Sequence, residues 1–266
     1  MQLSRRQFIG LVGALGLGGC AQTRQRIGLG SAKRLTFAAI NDVHVLDARS
    51  AAIVHRAVQS INANADVAFT VILGDIATAG RLPELKLALA SFNRLERPWL
   101  AVPGNHDVCT AATNIYSNYL ITFERMNWME EEKGWVFIGI DSCEGAKSDV
   151  TVRDWQIDWL ADSLERIRRD RPIALFAHHP FNPHSKAYRV QNADEVIGLF
   201  AHHNLRLVAA GHYHGNQVEQ QDGVLYTTTA CCSTTRDNFD NTAAKGYRLF
   251  HIEGEGVTTE FVEVPS

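Results

Sequence analysis

The 266-residue chain is expected to fold as one layered α/β domain, and three observations carry that expectation. Short apolar runs rich in β-formers alternate with longer stretches of helical spacing. The runs are nearly continuous in apolar character, as strands covered on both faces must be. After Gly223 the alternation stops, and strands follow one another through Gly-rich turns. Sheets with helices layered on them bury such a pattern around one core.

The chain opens with Ser4-Arg5-Arg6-Gln7-Phe8-Ile9-Gly10, then an apolar stretch from Leu11 to Leu17, then Gly18-Gly19-Cys20. Paired arginines before a short apolar run have the form of a bacterial twin-arginine export signal. A run beginning at Phe8 is about half the length that a membrane-spanning helix needs. Leu17-Gly18-Gly19-Cys20 is similar to a lipoprotein cleavage box in which Cys20 becomes the acylated residue. Residues 1–19 are therefore expected to be a signal, 20–33 an acylated cysteine and its tether, and 34–266 the folded domain. The expected location is the periplasm, with membrane contact through the lipid anchor only.

Along the domain, the apolar runs are Leu35 to Ile40, Ala68 to Leu73, Trp99 to Val102, Trp135 to Ile140, Ile173 to Ala177 and Leu205 to Ala209. Ser50 to Asn62 and Pro83 to Leu95 have helical spacing, the latter opening with Pro at a favoured first-turn position. Val152 to Arg169 is the clearest expected helix, with Trp155, Trp159, Leu160, Leu164 and Ile167 as its core stripe. Asp194 to His203 is a shorter one. Val224 to Ala230, Tyr247 to Ile252 and Val257 to Val264 read as the closing strands.

Composition excludes several function classes. Hydrophobic residues make 45% and charged residues 21% of the chain, which excludes a disordered chain, a collagen-like fibre, a coiled coil and a polytopic membrane protein. The formal net charge of -3 offers no broad basic face for nucleic acid. Beyond Cys20, the cysteines Cys109, Cys143, Cys231 and Cys232 show no C-x-x-C spacing, so a thiolate metal site is disfavoured and buried free thiols are expected.

The chemistry lies where apolar runs end. Five of them lead into Asn41-Asp42-Val43-His44, Gly74-Asp75, Gly104-Asn105-His106-Asp107, His178-His179-Pro180 and Gly211-His212-Tyr213-His214. In sheets with helical crossovers, ligands bind beyond the carboxyl ends of the strands. One such fragment is weak, because an isolated histidine is more often structural. Five in order are what a site for several metal ions requires.

Through D-x-H, G-D, G-N-H-D, H-x-P and G-H-x-H in that order, residues 35 to about 230 resemble the calcineurin-like metallophosphoesterase superfamily. The resemblance implies a four-layer α-β-β-α sandwich of two mixed sheets flanked by helices, with a dinuclear metal site at the strand ends. It implies one metal held by Asp42, His44 and His214, a second by Asn105, His178 and His212, and Asp75 bridging both. Mixed N and O donors without thiolate suit two divalent ions such as Mn, Fe or Zn. A paired site of this kind makes a metal-bridging hydroxide the expected nucleophile. The resemblance also points His106 at the substrate, where it would assist the leaving group. Asp107 is expected to orient His106, and His179 to line the substrate side.

The substrate expected is a small phosphodiester. Purple acid phosphatases place a tyrosine three residues after the bridging aspartate, and Thr78 stands there instead. The compact length and the N-H-D and H-H-P forms look closest to phosphodiesterases of cyclic nucleotides or glycerophosphodiesters. The alternatives are a phosphomonoesterase, for which Lys186 or Arg189 would supply extra charge, and a non-catalytic, metal-binding, lipid-anchored envelope protein.

Overall fold

Residues 34–112 and 114–265 are described by a computed structural model, so the expected export signal and the expected Cys20 anchor lie outside the described residues. β1 (Arg34–Ile40), β2 (Val67–Leu73) and β3 (Trp99–Val102) run parallel, with α1 (Ala48–Ala63) and α2 (Leu82–Phe92) as the crossovers between them. A short 3-10 turn (Asn105–Asp107) and α3 (Ser117–Phe123) follow. The chain then enters a second sheet through β4 (Trp128–Glu132) and β5 (Trp135–Gly139). From there it continues through α4 (Asp154–Leu164), β6 (Pro172–Phe176), α5 (Ala193–Gly198), β7 (Asn204–Ala210), β8 (Gln217–Gln221) and β9 (Val224–Thr228). β10 (Gly246–Glu253) and β11 (Gly256–Glu263) return to the first sheet as an antiparallel hairpin.

The strand orders are β11-β10-β1-β2-β3 and β4-β5-β6-β7-β9-β8, two mixed sheets packed face to face. Period-two side-chain direction explains why the strands read as unbroken apolar runs. In β1, Leu35, Phe37 and Ala39 enter the layer between the sheets, while Ala38 and Ile40 pack outward under the helices. Phe37 centres the inner layer. It stacks on Phe69 and Phe250 at 5.0 and 4.9 Å and meets Phe137 and Phe176 of the other sheet edge-on at 5.6 and 5.7 Å. Outside the first sheet, Ile53, Ala57 and Ile61 of α1 pack in one core with Leu85 and Phe92 of α2. Outside the second, Leu160 and Leu164 of α4 and Val196 of α5 do the same. The four-layer sandwich is the architecture that the family resemblance implies.

Local chemistry sets the boundaries. Asp47 caps α1 by accepting from the Ser50 backbone N–H at 2.9 Å, while Ser50 Oγ accepts from the Asp47 N–H at 2.9 Å. This reciprocal pair satisfies two of the helix's orphan donors.

Three expectations need correction. The helix expected over 152–169 is Asp154–Leu164, and Trp155 is no part of the core: it is 47% exposed, with the Arg153 guanidinium 4.7 Å above its ring. β4 and β8 lie outside the expected strands, because Trp-Met-Glu-Glu-Glu and Gln-Val-Glu-Gln-Gln are mostly polar edge strands that pair on one side, with only Trp128 buried. The helix expected over 194–203 is Ala193–Gly198. Cys109, Cys143, Cys231 and Cys232 are buried free thiols, and among the described residues no helix is long and apolar enough to cross a membrane.

Candidate active site

Five parallel strands, β1, β2 and β3 of one sheet and β6 and β7 of the other, deliver polar loops to the same edge. Asp42 and His44 follow β1, Asp75 follows β2, Asn105 and His106 follow β3, His178 and His179 follow β6, and His212 and His214 follow β7. Backbone bonds lace the loops together: Asp42 N–H donates to the Gly74 carbonyl at 3.1 Å, His44 N–H to that of Asp75 at 2.9 Å, and Gly211 N–H to that of His178 at 2.9 Å.

The backbone pays for this convergence locally. Asp42, His44, Asp75, His212 and His214 have φ of 51°, 44°, 50°, 61° and 49°. Each left-handed non-glycine residue costs on the order of 1 kcal/mol, and such strain concentrates at functional sites. Gly104 permits the closest approach. A Cβ there would lie 2.1 Å from the Asp75 nitrogen and 2.2 Å from its Oδ1, so no other residue fits.

The side chains form two neighbouring groups with Asp75 between them. In the first, His214 Nε2 lies 3.0 Å from Asp42 Oδ1, and His44 Nε2 lies 3.5 Å from Asp75 Oδ2. In the second, His178 Nε2 lies 3.2 Å from Asn105 Oδ1, 3.1 Å from His212 Nδ1 and 3.3 Å from Asp75 Oδ1. One oxygen of Asp75 thus faces each group. All seven residues that the resemblance named as metal ligands come together, and each is at most 6% exposed.

These residues fit a divalent metal. Asp42, His44, Asp75 and His214 present donor atoms within 4.8 Å of one another, as do His178, His179 and His212. Both ring nitrogens of His44 and Nε2 of His179 are buried without a hydrogen-bond partner, which is costly unless a cation uses them. Burial pushes the His44 and His212 rings down to about 3 and 4, so both are neutral at ordinary pH, the form that binds metal. Burial acts against His178 and His214 too, but Asp75 and Asp42 outweigh it and raise them to about 9 and 11. The buried carboxylates therefore draw positive charge into the site, the role a cation would fill.

Surrounding groups fix ring orientation. The outer nitrogens of three candidate ligands face backbone carbonyls: His178 Nδ1 at Leu73 (2.8 Å), His212 Nε2 at Ser148 (3.1 Å) and His214 Nδ1 at Asp237 (3.0 Å). Such outer contacts set tautomer and aim. Asn41 Nδ2 donates to Asp42 Oδ2 at 2.6 Å, and buried Arg248 bonds Thr229 and Asn216 behind the His214 loop. Apart from Asn41, which adjoins Asp42 in the chain, none of these supports was legible in the sequence, since each is a carbonyl or a distant side chain brought near only by folding.

One further residue is placed differently from expectation. Asp107 does not hold the His106 ring: its oxygens accept from the Ala77 and Gly104 N–H groups, each at 2.8 Å, and the His106 Nδ1 bonds the Thr78 carbonyl at 2.8 Å. Asp107 instead ties the β2 and β3 loops together, and burial pushes its carboxyl up to about 8. His179 is fully buried, its Nδ1 2.9 Å from Ser142 Oγ, and it lies beside His178 and His212 in the cluster. His106 is half-buried, its ring 4.8 Å from that of His44 and its N–H donating to Asp75 Oδ1 at 2.8 Å. His184 is exposed and paired with Glu219.

A family model for calcineurin-like phosphoesterases matches residues 35–216. A probable cyclic nucleotide phosphodiesterase of Psychrobacter arcticus is 27% identical over 62% of this chain and 66% of its own. A probable glycerophosphodiester phosphodiesterase of Arcobacter nitrofigilis is 26% identical over 60% of this chain and 61% of its own. The chain thus spans just under two thirds of the length of either relative. Among solved structures, a purple acid phosphatase from yellow lupin superposes with a TM-score of 0.66 at 10% identity, covering 88% of this chain and 52% of the lupin chain, a likeness of fold alone.

Proposed function

The chain belongs to the calcineurin-like phosphoesterase family, and from that premise we propose that it hydrolyses a small phosphodiester at the Asp75 cluster with two divalent ions. The observation that carries this reading is the Asp75 carboxylate with one oxygen facing each group of donors. Asp42, His44 and His214 would hold one ion, Asn105, His178 and His212 the other, and Asp75 both, with Mn, Fe or Zn suited to the donors. Bound there, such ions polarise phosphoryl oxygens and acidify water.

The chain's own residues then handle the leaving group. The Thr78 carbonyl accepts from His106 Nδ1–H, so the ring that serves as acid is the doubly protonated one, which also carries a proton on Nε2 and would give it to the departing alkoxide. Half-burial keeps this ring within reach of an ester. His106→Ala is expected to lower kcat by roughly 10²–10⁴-fold with metal content unchanged. Elemental analysis beside turnover checks this, and undiminished turnover would remove His106 from the mechanism.

A diester brings one negative charge to the site, and a monoester two. Of the two cations that would favour the second, Arg189 is paired with Asp194 and Lys186 is exposed. The names of both relatives, each a diesterase, support the same choice. Bis(p-nitrophenyl) phosphate is therefore expected to turn over faster than p-nitrophenyl phosphate on the Mn-loaded protein. Chelation should abolish both rates and Mn restore them. Faster monoester turnover would overturn the diester assignment.

Export and lipid anchoring at Cys20 belong to the same proposal, supported by Arg5-Arg6 and Leu17-Gly18-Gly19-Cys20. In a bacterial host the full chain should fractionate with membranes, and Cys20→Ser should release it. A variant that stays membrane-bound would refute the anchor.

A further inference from the structure

We propose that Tyr188 and Phe239 form a subsite for a planar aromatic group on the ester, so that the preferred diester carries a ring such as a nucleobase. This rests on the phosphodiesterase reading above. Phe239 is 51% exposed, yet it is not a stray surface ring. One face lies parallel to the His214 imidazole, with centroids 5.2 Å apart and planes 6° apart. Its backbone N–H donates to the His214 carbonyl at 3.0 Å, which fixes its place. Tyr188 meets the His212 ring edge-on at 4.8 Å and lies 6.0 Å from Phe239, tilted by 44°.

The two rings therefore stand one side chain out from the Asp and His cluster. An ester whose phosphoryl oxygens reach that cluster would bring its organic group to this position.

A second observation points to the same place. Tyr188 has a φ of 59°, uncommon for a bulky residue. The 180–190 loop that carries it is closed by the Val190 N–H donating to the Pro180 carbonyl at 2.9 Å. Strain held by a closed loop beside reactive side chains marks a position kept for what it presents. Here it presents an aromatic ring against His212. A half-exposed ring beside a second, tilted ring offers π-surface with little rotamer entropy to lose. Stacking of this kind accepts any planar base, because it reads a face and not an edge.

The test compares cyclic AMP with sn-glycero-3-phosphoethanolamine, both diesters with a singly charged phosphate and only one aromatic, on the Mn-loaded full chain. Binding of AMP and of glycerol 3-phosphate is measured alongside by calorimetry. Phe239→Ala is expected to lower kcat/KM for cyclic AMP, and the affinity for AMP, by about tenfold, the order of one lost stacked ring. Both glycerol compounds should be unchanged. Phe239→Leu, which keeps apolar bulk, should behave like the alanine variant, and Phe239→Trp should restore the preference.

An equal fall for both diesters would mean that Phe239 only supports His214, and no fall for either would mean that it does not touch the ester. Each result overturns the subsite while leaving the diesterase intact. Conversely, AMP affinity that depends on Phe239 in a protein that hydrolyses neither diester would keep the subsite and refute the diesterase.

Discussion

Asp75→Asn is expected to abolish measurable phosphoester turnover, with a fall of at least about 10³-fold, equivalent to roughly 4 kcal/mol of lost electrostatic stabilisation. Asparagine keeps the size of the side chain and a carbonyl oxygen to accept from the His106 N–H, now at 2.8 Å from Asp75 Oδ1. It also tolerates the left-handed backbone at this position, where φ is 50°. What it removes is the negative charge between the two groups of donors. Metal content should therefore drop together with turnover, while circular dichroism stays that of the parent. Full metal occupancy with turnover above a tenth of the parent's would show that the shared carboxylate is dispensable.

Phe37→Ala is expected to have the largest effect on stability, a loss of about 3–5 kcal/mol. Phe37 is fully buried, stacks on two rings of its own sheet and meets two of the opposite sheet. Rings at such a crossing cannot close in without moving both sheets, so a cavity remains. Urea unfolding of the metal-free protein measures the loss without the contribution of bound ions, which stabilise whichever state binds them. A loss under about 1 kcal/mol would mean that the sheets rearrange to fill the space. Because β1 also leads to Asp42 and His44, the variant's metal affinity reports how rigidly the inner core holds the site.

Much of the site was legible because its chemistry is written in contiguous fragments. Asp42-Val43-His44, Asn105-His106-Asp107, His178-His179 and His212-Tyr213-His214 each follow an apolar run, and a strand end is where a parallel sheet delivers ligands. The role of Asp107 was misread for the same reason: adjacency in sequence suggested contact with His106, while the turn sends its carboxylate to two backbone N–H groups. The edge strands β4 and β8 escaped notice because polar residues suffice where one face and one edge meet water.

Taken by itself, the sequence determined the layered α/β class, most of the strands and the identity of the residues at their ends. Apolar periodicity and turn residues are local properties, and any fold of this chain must respect them. The tertiary structure alone decided that two sheets share the site, that Asp75 turns one oxygen to each group, and that Thr78 orients His106. It alone set Tyr188 and Phe239 against His212 and His214. These are contacts between backbone carbonyls, rings and loops far apart in the chain. Which of them form depends on how the sheets pack, a property that no single segment carries.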